Sequence, residues 1–196
     1  MPTLWGTETI GIIQSGIRYM VPLSDVQGLI NPITKALAAD ATGQNVATTQ
    51  PWFPSAGAIT VKDKTAYKFD GVLMLTRAAG TTSHTTSLLF GGTATLTNID
   101  YLAEASAATG NVLGTVSHIS ASAASAVAVT AANTAATENM RVRVSGIMRV
   151  NAGGTIIPQF QYSVAPGGAP TIKRGSYFEM TPLGINTGSE FGKGWA

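Results

Sequence analysis

The feature that most constrains this chain is the alternation between Arg141 and Gly184, RVRVSGIMRVNAGGTIIPQFQYSVAPGGAPTIKRGSYFEMTPLG. Val142, Val144, Gly146, Met148 and Val150 take every second position, and Arg141, Arg143, Ser145, Ile147 and Arg149 stand between them. A period of two gives a strand one dry face and one wet face, whereas on a helix the same residues would be scattered around the axis. Asn151-Ala152-Gly153-Gly154 is a turn sequence, because glycine reaches φ > 0 without a Cβ clash, and it predicts a hairpin. Ile156, Phe160, Tyr162 and Val164 then alternate with Gln159, Gln161 and Ser163. Ala165 to Pro170 breaks the chain again, and a last run from Ser176 to Met180 ends at Pro182 and Gly184.

Upstream the same pattern recurs. Tyr67, Phe69, Gly71, Leu73 and Leu75 alternate with Lys68, Asp70, Val72 and Met74 in a long strand that ends at Arg77. Further strands fit at Ala58–Lys62, Thr85–Phe90, Thr93–Ala103, Val112–Ser120 and Ala126–Thr130. Residues 121–137 are rich in alanine, but their Ser, Thr and β-branched content favours a small-residue strand and turn over a helix. Strands at this spacing predict an all-β sandwich or barrel.

The N-terminal third reads differently. Residues 1–24 hold scattered apolar side chains with no sustained period, interrupted by Gly6, Gly11 and Gly16. Asn31-Pro32 carries the signals of a helix start, and Ile33, Ala36 and Leu37 follow before Gly43, so a short helix is expected near 32–40. The Pro51-Trp52-Phe53-Pro54 cluster is expected to pack down as a lid on the sheet. Three parts result: an arm at 1–57, a β-sandwich at 58–185 and a Gly-rich tail at 186–196, whose Phe191 and Trp195 suit packing on a neighbour.

Only 11% of the residues are charged, against about 25% in an ordinary soluble domain. That deficit suggests a surface covered by other chains. Arg141, Arg143 and Arg149 share a strand face, yet no run of Lys or Arg marks a nucleic-acid footprint. No stretch approaches the roughly 20 apolar residues of a helical membrane span. The absence of cysteine excludes disulfides and thiolate metal sites.

Catalytic patterns are missing. No GxSxG elbow, phosphate loop, HExxH or EF-hand sequence occurs. His84 and His118, the two histidines, read as surface or interface residues. Asp63 with Asp70, or Asp100 with Glu104, could approach as paired carboxylates do in glycosidases, but such pairs arise by chance in any sheet. The expectation is a protein that is not an enzyme and uses no cofactor or metal.

The segment TTSHTTSLLFGGTATLTNIDYLAEASAATGNVL and the one from Arg141 to Gly184 resemble a module of tailed-bacteriophage structural proteins, found in head-decoration (cement) proteins and in head and tail fibres. The shared residues are Gly146, Arg149 to Thr155, Pro158 to Phe160, Ser163, Pro166 to Gly168, Ser176 to Phe178, Pro182 and Gly184. The resemblance covers roughly 58–184 and implies a jelly-roll sandwich, similar to the tumour-necrosis-factor and C1q heads, assembled as a homotrimer on a virion.

Function expectations follow from the two readings together. As a capsid decoration protein, the chain would bind the major capsid protein on the outer shell through Leu4, Trp5, Ile10, Ile12, Ile13 and Tyr19 of the arm. Ile147 and Ile157, which interrupt otherwise polar strand faces, and Arg149 would lie at the trimer interface. The alternative is a receptor-binding fibre tip that meets a host glycan or protein through Trp52 or Trp195.

Overall fold

The structure is a computed structural model that describes residues 9–14, 17–22, 32–55, 57–106, 113–121 and 125–187. It divides into two compact units, Met1–Pro32 and Ile33–Ala196. In the first, β1 (Thr9–Gln14) and β2 (Ile17–Pro22) form an antiparallel hairpin. The second begins with β3 (Ile33–Ala36), β4 (Ala41–Thr42), β5 (Gln50–Pro51) and β6 (Ile59–Val61). It continues through β7 (Thr65–Arg77), β8 (Thr86–Gly91), β9 (Thr95–Ser106) and β10 (Leu113–Ala121). The last elements are β11 (Val127–Ala128), β12 (Glu138–Ala152), β13 (Gly154–Tyr162), β14 (Thr171–Ile172) and β15 (Tyr177–Ile185).

Among the described residues there is no helix, and every strand pairing is antiparallel. The second unit is a β-sandwich of an eight-stranded and a five-stranded sheet, as the alternating pattern requires. The pairings are nested. β3 pairs with β15, β6 with β13, β7 with β12 and β8 with β11, so early strands meet late ones in reverse order. β7 also pairs with β15, and β8 with β13, which joins these couples into two sheets. The β9–β10 hairpin extends the larger sheet on the free side of β12.

Alternation decides which side chains meet between the sheets. β12 buries Met140, Val142, Val144, Met148 and Val150, and β13 buries Ile156, Phe160 and Tyr162. Phe69, Tyr101 and Phe178 of the larger sheet face Phe90 of the smaller, with ring centroids 5.4 Å (Phe69–Phe90), 5.6 Å (Phe90–Tyr101) and 5.7 Å (Phe90–Phe178) apart. Edge-to-face and tilted contacts of this kind add about 0.5–1.5 kcal/mol each beyond area burial.

Three expectations change. Residues 32–40 form no helix: Ile33–Ala36 is the edge strand β3, in register with Tyr177–Met180. A helix of two or three turns is marginal alone, whereas the open edge of β15 satisfies the backbone at once, and β-branched Ile33 and Thr34 fit a strand. Asn151–Gly154 does not close a hairpin, since β12 and β13 belong to different sheets and the turn is a corner between them. Segment 33–57, expected in the arm, lies in the sandwich unit, where β3, β4 and β5 pair with β15, β14 and β13.

Trp52 and Phe53 do pack down, but as core rather than lid. Trp52 is 1% exposed, with its ring edge-on to Phe178 at 5.9 Å. Gly71 makes room for it, since a Cβ there would lie 2.7 Å from Phe178 and 3.1 Å from Trp52.

Candidate functional site

The outer face of the larger sheet carries the wet half of the alternation. Ile147 of β12 stands opposite Asp100 of β9, and Ser145 opposite Leu102. Leu102 is 46% and Ile147 36% exposed. Together with Asp100, Ser145 and Arg149 they line a shallow depression of about 290 Å³. Arg149 donates from Nη1 to the Asn186 carbonyl oxygen. Two of the three expected interface residues, Ile147 and Arg149, thus share one patch.

Ile157 lies elsewhere. It stands on β13 of the smaller sheet, between buried Ile156 and Pro158, and lines a groove of about 380 Å³ with Lys35, Pro51, Phe53, Pro54 and Gly57. The groove takes residues from both sheets, so it opens on the side wall of the sandwich. A second hollow of about 300 Å³ adjoins it along Lys35, Leu37, Asp40 and Phe53.

Around the middle of the larger sheet, charges are paired across strands. Tyr177 donates to Asp70 Oδ1 at 2.7 Å, and Arg143 Nη2 stands 3.6 Å from Asp70 Oδ2. The register sets Glu179 opposite Asp70, and Thr34 donates to Glu179 at 2.9 Å. Acceptance by the Asp70 carboxylate holds the Tyr177 hydroxyl above its ordinary pKa. Asp70 therefore works as a cross-strand tie, and its expected candidate partner Asp63 is exposed in the turn before β7.

A buried polar cluster is the part that spacing did not single out. Arg77 (3% exposed) and Glu138 (7%) face each other in register at the ends of β7 and β12, and Arg77 Nε donates to Glu138 Oε2 at 2.9 Å. The Arg77 guanidinium also donates to the carbonyl oxygens of Ala79, Gly80, Ala135 and Pro166. His84, expected at a surface or interface, is 1% exposed. Its Nδ1 donates to Thr82 O at 2.7 Å, since a carbonyl can only accept. Its Nε2 lies 3.0 Å from Glu138 Oε1, off the line a hydrogen bond needs. Tyr162 closes the cluster with its ring edge-on to His84 at 5.2 Å.

The cluster ties together the loops after β7, before β12 and after β13. Two glycines let the backbones approach there: Gly80 has φ +88° and Gly167 φ +93°, and a Cβ on Gly80 would sit 2.3 Å from the Pro166 oxygen. The signal available in sequence was parity. Arg77 extends the dry positions Leu73 and Leu75, and Glu138 precedes Met140 and Val142 on the same dry side. His118 falls in register with Leu102, on β10.

Of the arm residues, Leu4 and Trp5 lie outside the described residues. Ile10, Ile12 and Ile13 are on β1 and Tyr19 on β2, where Ile12 pairs with Tyr19 and Ile10 with Val21. The apolar residues at 10, 12, 13, 17 and 19–21 thus belong to a hairpin, and Ile17 and Met20 in it are 58% and 60% exposed. Of the two tryptophans named for glycan contact, Trp52 is in the core and Trp195 lies outside the described residues, as do Phe191 and the end of the tail.

Among the described residues these features define an all-β protein whose second unit is built of two antiparallel sheets. No family model matches the sequence, and no curated protein does. Among solved structures, the chain is similar to one titled as infectious bursal disease virus Gt strain, at 10% identity and TM-score 0.19, over 98% of this chain and 50% of that one. A second, from the Gx strain of the same virus, matches at 10% identity and TM-score 0.18, over 93% of this chain and 43% of that one. The chain thus spans about half the length of the structures it matches, and likenesses this distant carry no argument.

Proposed function

We propose that this chain is a virion structural protein, a capsid decoration protein that binds the outer shell as a homotrimer and stabilises it. The observation that carries the reading is the N-terminal hairpin. It belongs to the first compact unit, it exposes Ile17 and Met20, and two strands by themselves are at best marginal in water. Such a ribbon needs an apolar surface to rest on, and the major capsid protein is the partner proposed. Binding only the assembled shell would stabilise that shell by mass action.

Two further observations support the reading. The nested pairing of β3, β6, β7 and β8 with β15, β13, β12 and β11 is the order of a long hairpin rolled into two sheets, which supports a jelly roll. The outward positions Ser87, Leu89, Ile157, Gln159 and Gln161 of the smaller sheet carry no charge, as suits a face covered by a neighbour. The fibre-tip alternative loses Trp52 as a glycan contact, because that ring is buried.

Deleting residues 2–22 tests the proposal. The truncated protein is expected to remain a folded trimer by sedimentation and circular dichroism and to fail to co-sediment with undecorated capsids. Undiminished capsid binding would remove the hairpin from the interface and overturn the reading.

A further inference from the structure

We infer that the free edge of β10 pairs with the β10 edge of a second copy, antiparallel and across a twofold axis at His118, so that the larger sheets of two chains run on as one. β10 ends the larger sheet and, among the described residues, pairs on one side alone, with β9. Natural sheets keep an open edge from recruiting a strand by making it short, by charge or by proline. The other outermost strands described in the sandwich follow that rule. β4, β5 and β11 have two residues each, with Pro51 in β5, while β6 has three and β3 four, Lys35 among them. β10 has nine, LGTVSHISA, with no Lys, Arg, Asp, Glu or Pro.

The hydrogen-bond pattern tells which backbone groups that edge offers. Arg141 donates its N–H to Ser106 Oγ at 2.8 Å, so the odd positions of β12 turn their backbone groups towards β9. Arg143, Ser145 and Ile147 therefore bond Glu104, Leu102 and Asp100, and Ala103 and Tyr101 between these turn to β10. Their partners there are Ser117 and Ile119, which leaves the N–H and C=O of Val116, His118 and Ser120 pointing away from β9.

Two features select a second copy as the occupant. A row of nine residues needs an edge of like length, and no other outermost strand described in the sandwich has more than four. A strand paired with itself about a twofold axis also sets like charge near like charge, a cost from which the uncharged β10 is exempt. His118 is the middle one of the three outward-bonding residues. With it at the axis, Val116 of each copy faces Ser120 of the other, and each facing pair exchanges two hydrogen bonds. The contact is independent of the threefold assembly. It doubles whatever copy number the rest of the chain sets, to a dimer of single chains or a pair of trimers.

Sedimentation velocity of the full-length protein across a dilution series tests this. The wild type is expected to show a species that doubles with concentration. His118→Lys and His118→Glu each set like charges opposite one another at the axis, and each is expected to raise the dissociation constant of that doubling about fivefold. An equal mixture of the two variants pairs Lys with Glu and is expected to regain the wild-type value, which also shows that neither variant acts by unfolding. Amide hydrogen exchange gives the second readout. Val116, His118 and Ser120 should be protected in the paired state and lose protection on dilution, while Ser117 and Ile119 keep theirs. A wild-type protein that stays a monomer or a trimer at every concentration overturns the inference, the trimer leaving the proposed homotrimer untouched. Doubling that neither variant weakens, or that the mixture fails to restore, overturns it as well.

Discussion

At the scale of single residues, the most constrained position is Glu138. One carboxylate oxygen takes Arg77 Nε at 2.9 Å and the other stands 3.0 Å from His84 Nε2, with all three residues buried. Arg77 spends its remaining donors on four carbonyl oxygens, so the cluster leaves little unsatisfied beyond that one histidine nitrogen. Burying a charge is tolerable only in such company. Glu138→Ala removes the partner and leaves a guanidinium dry and uncompensated. The expected cost is about 3–5 kcal/mol in urea unfolding, as for other broken buried pairs. A loss below about 1 kcal/mol, the level of an exposed pair, would show that water reaches Arg77.

Elements were legible where alternation ran long and illegible where it ran short. β7, β12 and β13 could be read directly, because each sets five or so core residues against polar neighbours and a slip of one residue would invert the face. β3 could not: four residues beside a helix-start signal hold no period, and only the edge of β15, some 140 positions away, decides them. The corner at Asn151–Gly154 fails for another reason. Turn residues tell that the chain reverses, not whether the next strand pairs in the same sheet or crosses the core. Of the candidate interface, Ile147 and Ile157 were visible as apolar breaks in wet faces, but which wall each occupies depends on strand order. Trp52 reads as a lid in the sequence because no strand of useful length flanks it. Its burial against Phe178, over Gly71, makes it a central side chain, and Trp52→Ala is expected to cost about 3–5 kcal/mol in chemical denaturation. A cost under about 1 kcal/mol would restore the lid reading.

For the whole molecule, the aromatic core sets a limit on the pH range of the fold. Burial pushes the Tyr101 hydroxyl from its ordinary 10.0 up to about 12. Burial pushes Tyr162 up further, the negative charge of Glu138 adding to the effect and Arg77 opposing it. A tyrosine titrates from neutral to anionic, so a raised value in the fold means that the unfolded chain gives up its proton first. Below about pH 10 both states hold the proton and these groups add no pH dependence. Above it the unfolded state is favoured, at roughly 1.4 kcal/mol per pH unit for each such tyrosine, until the folded hydroxyl also ionises. Thermal midpoints of the full chain should therefore be level on the neutral side of about pH 10 and fall between about pH 10 and about pH 12. Tyr101→Phe separates this from the general effect of losing lysine charge, since it removes one titrating group and no charge at neutral pH. Its midpoint should fall less steeply than that of the wild type across the same interval. Parallel slopes would mean that Tyr101 ionises as freely in the folded protein as in the unfolded one, and that the packing of Phe69, Phe90 and Tyr101 admits water.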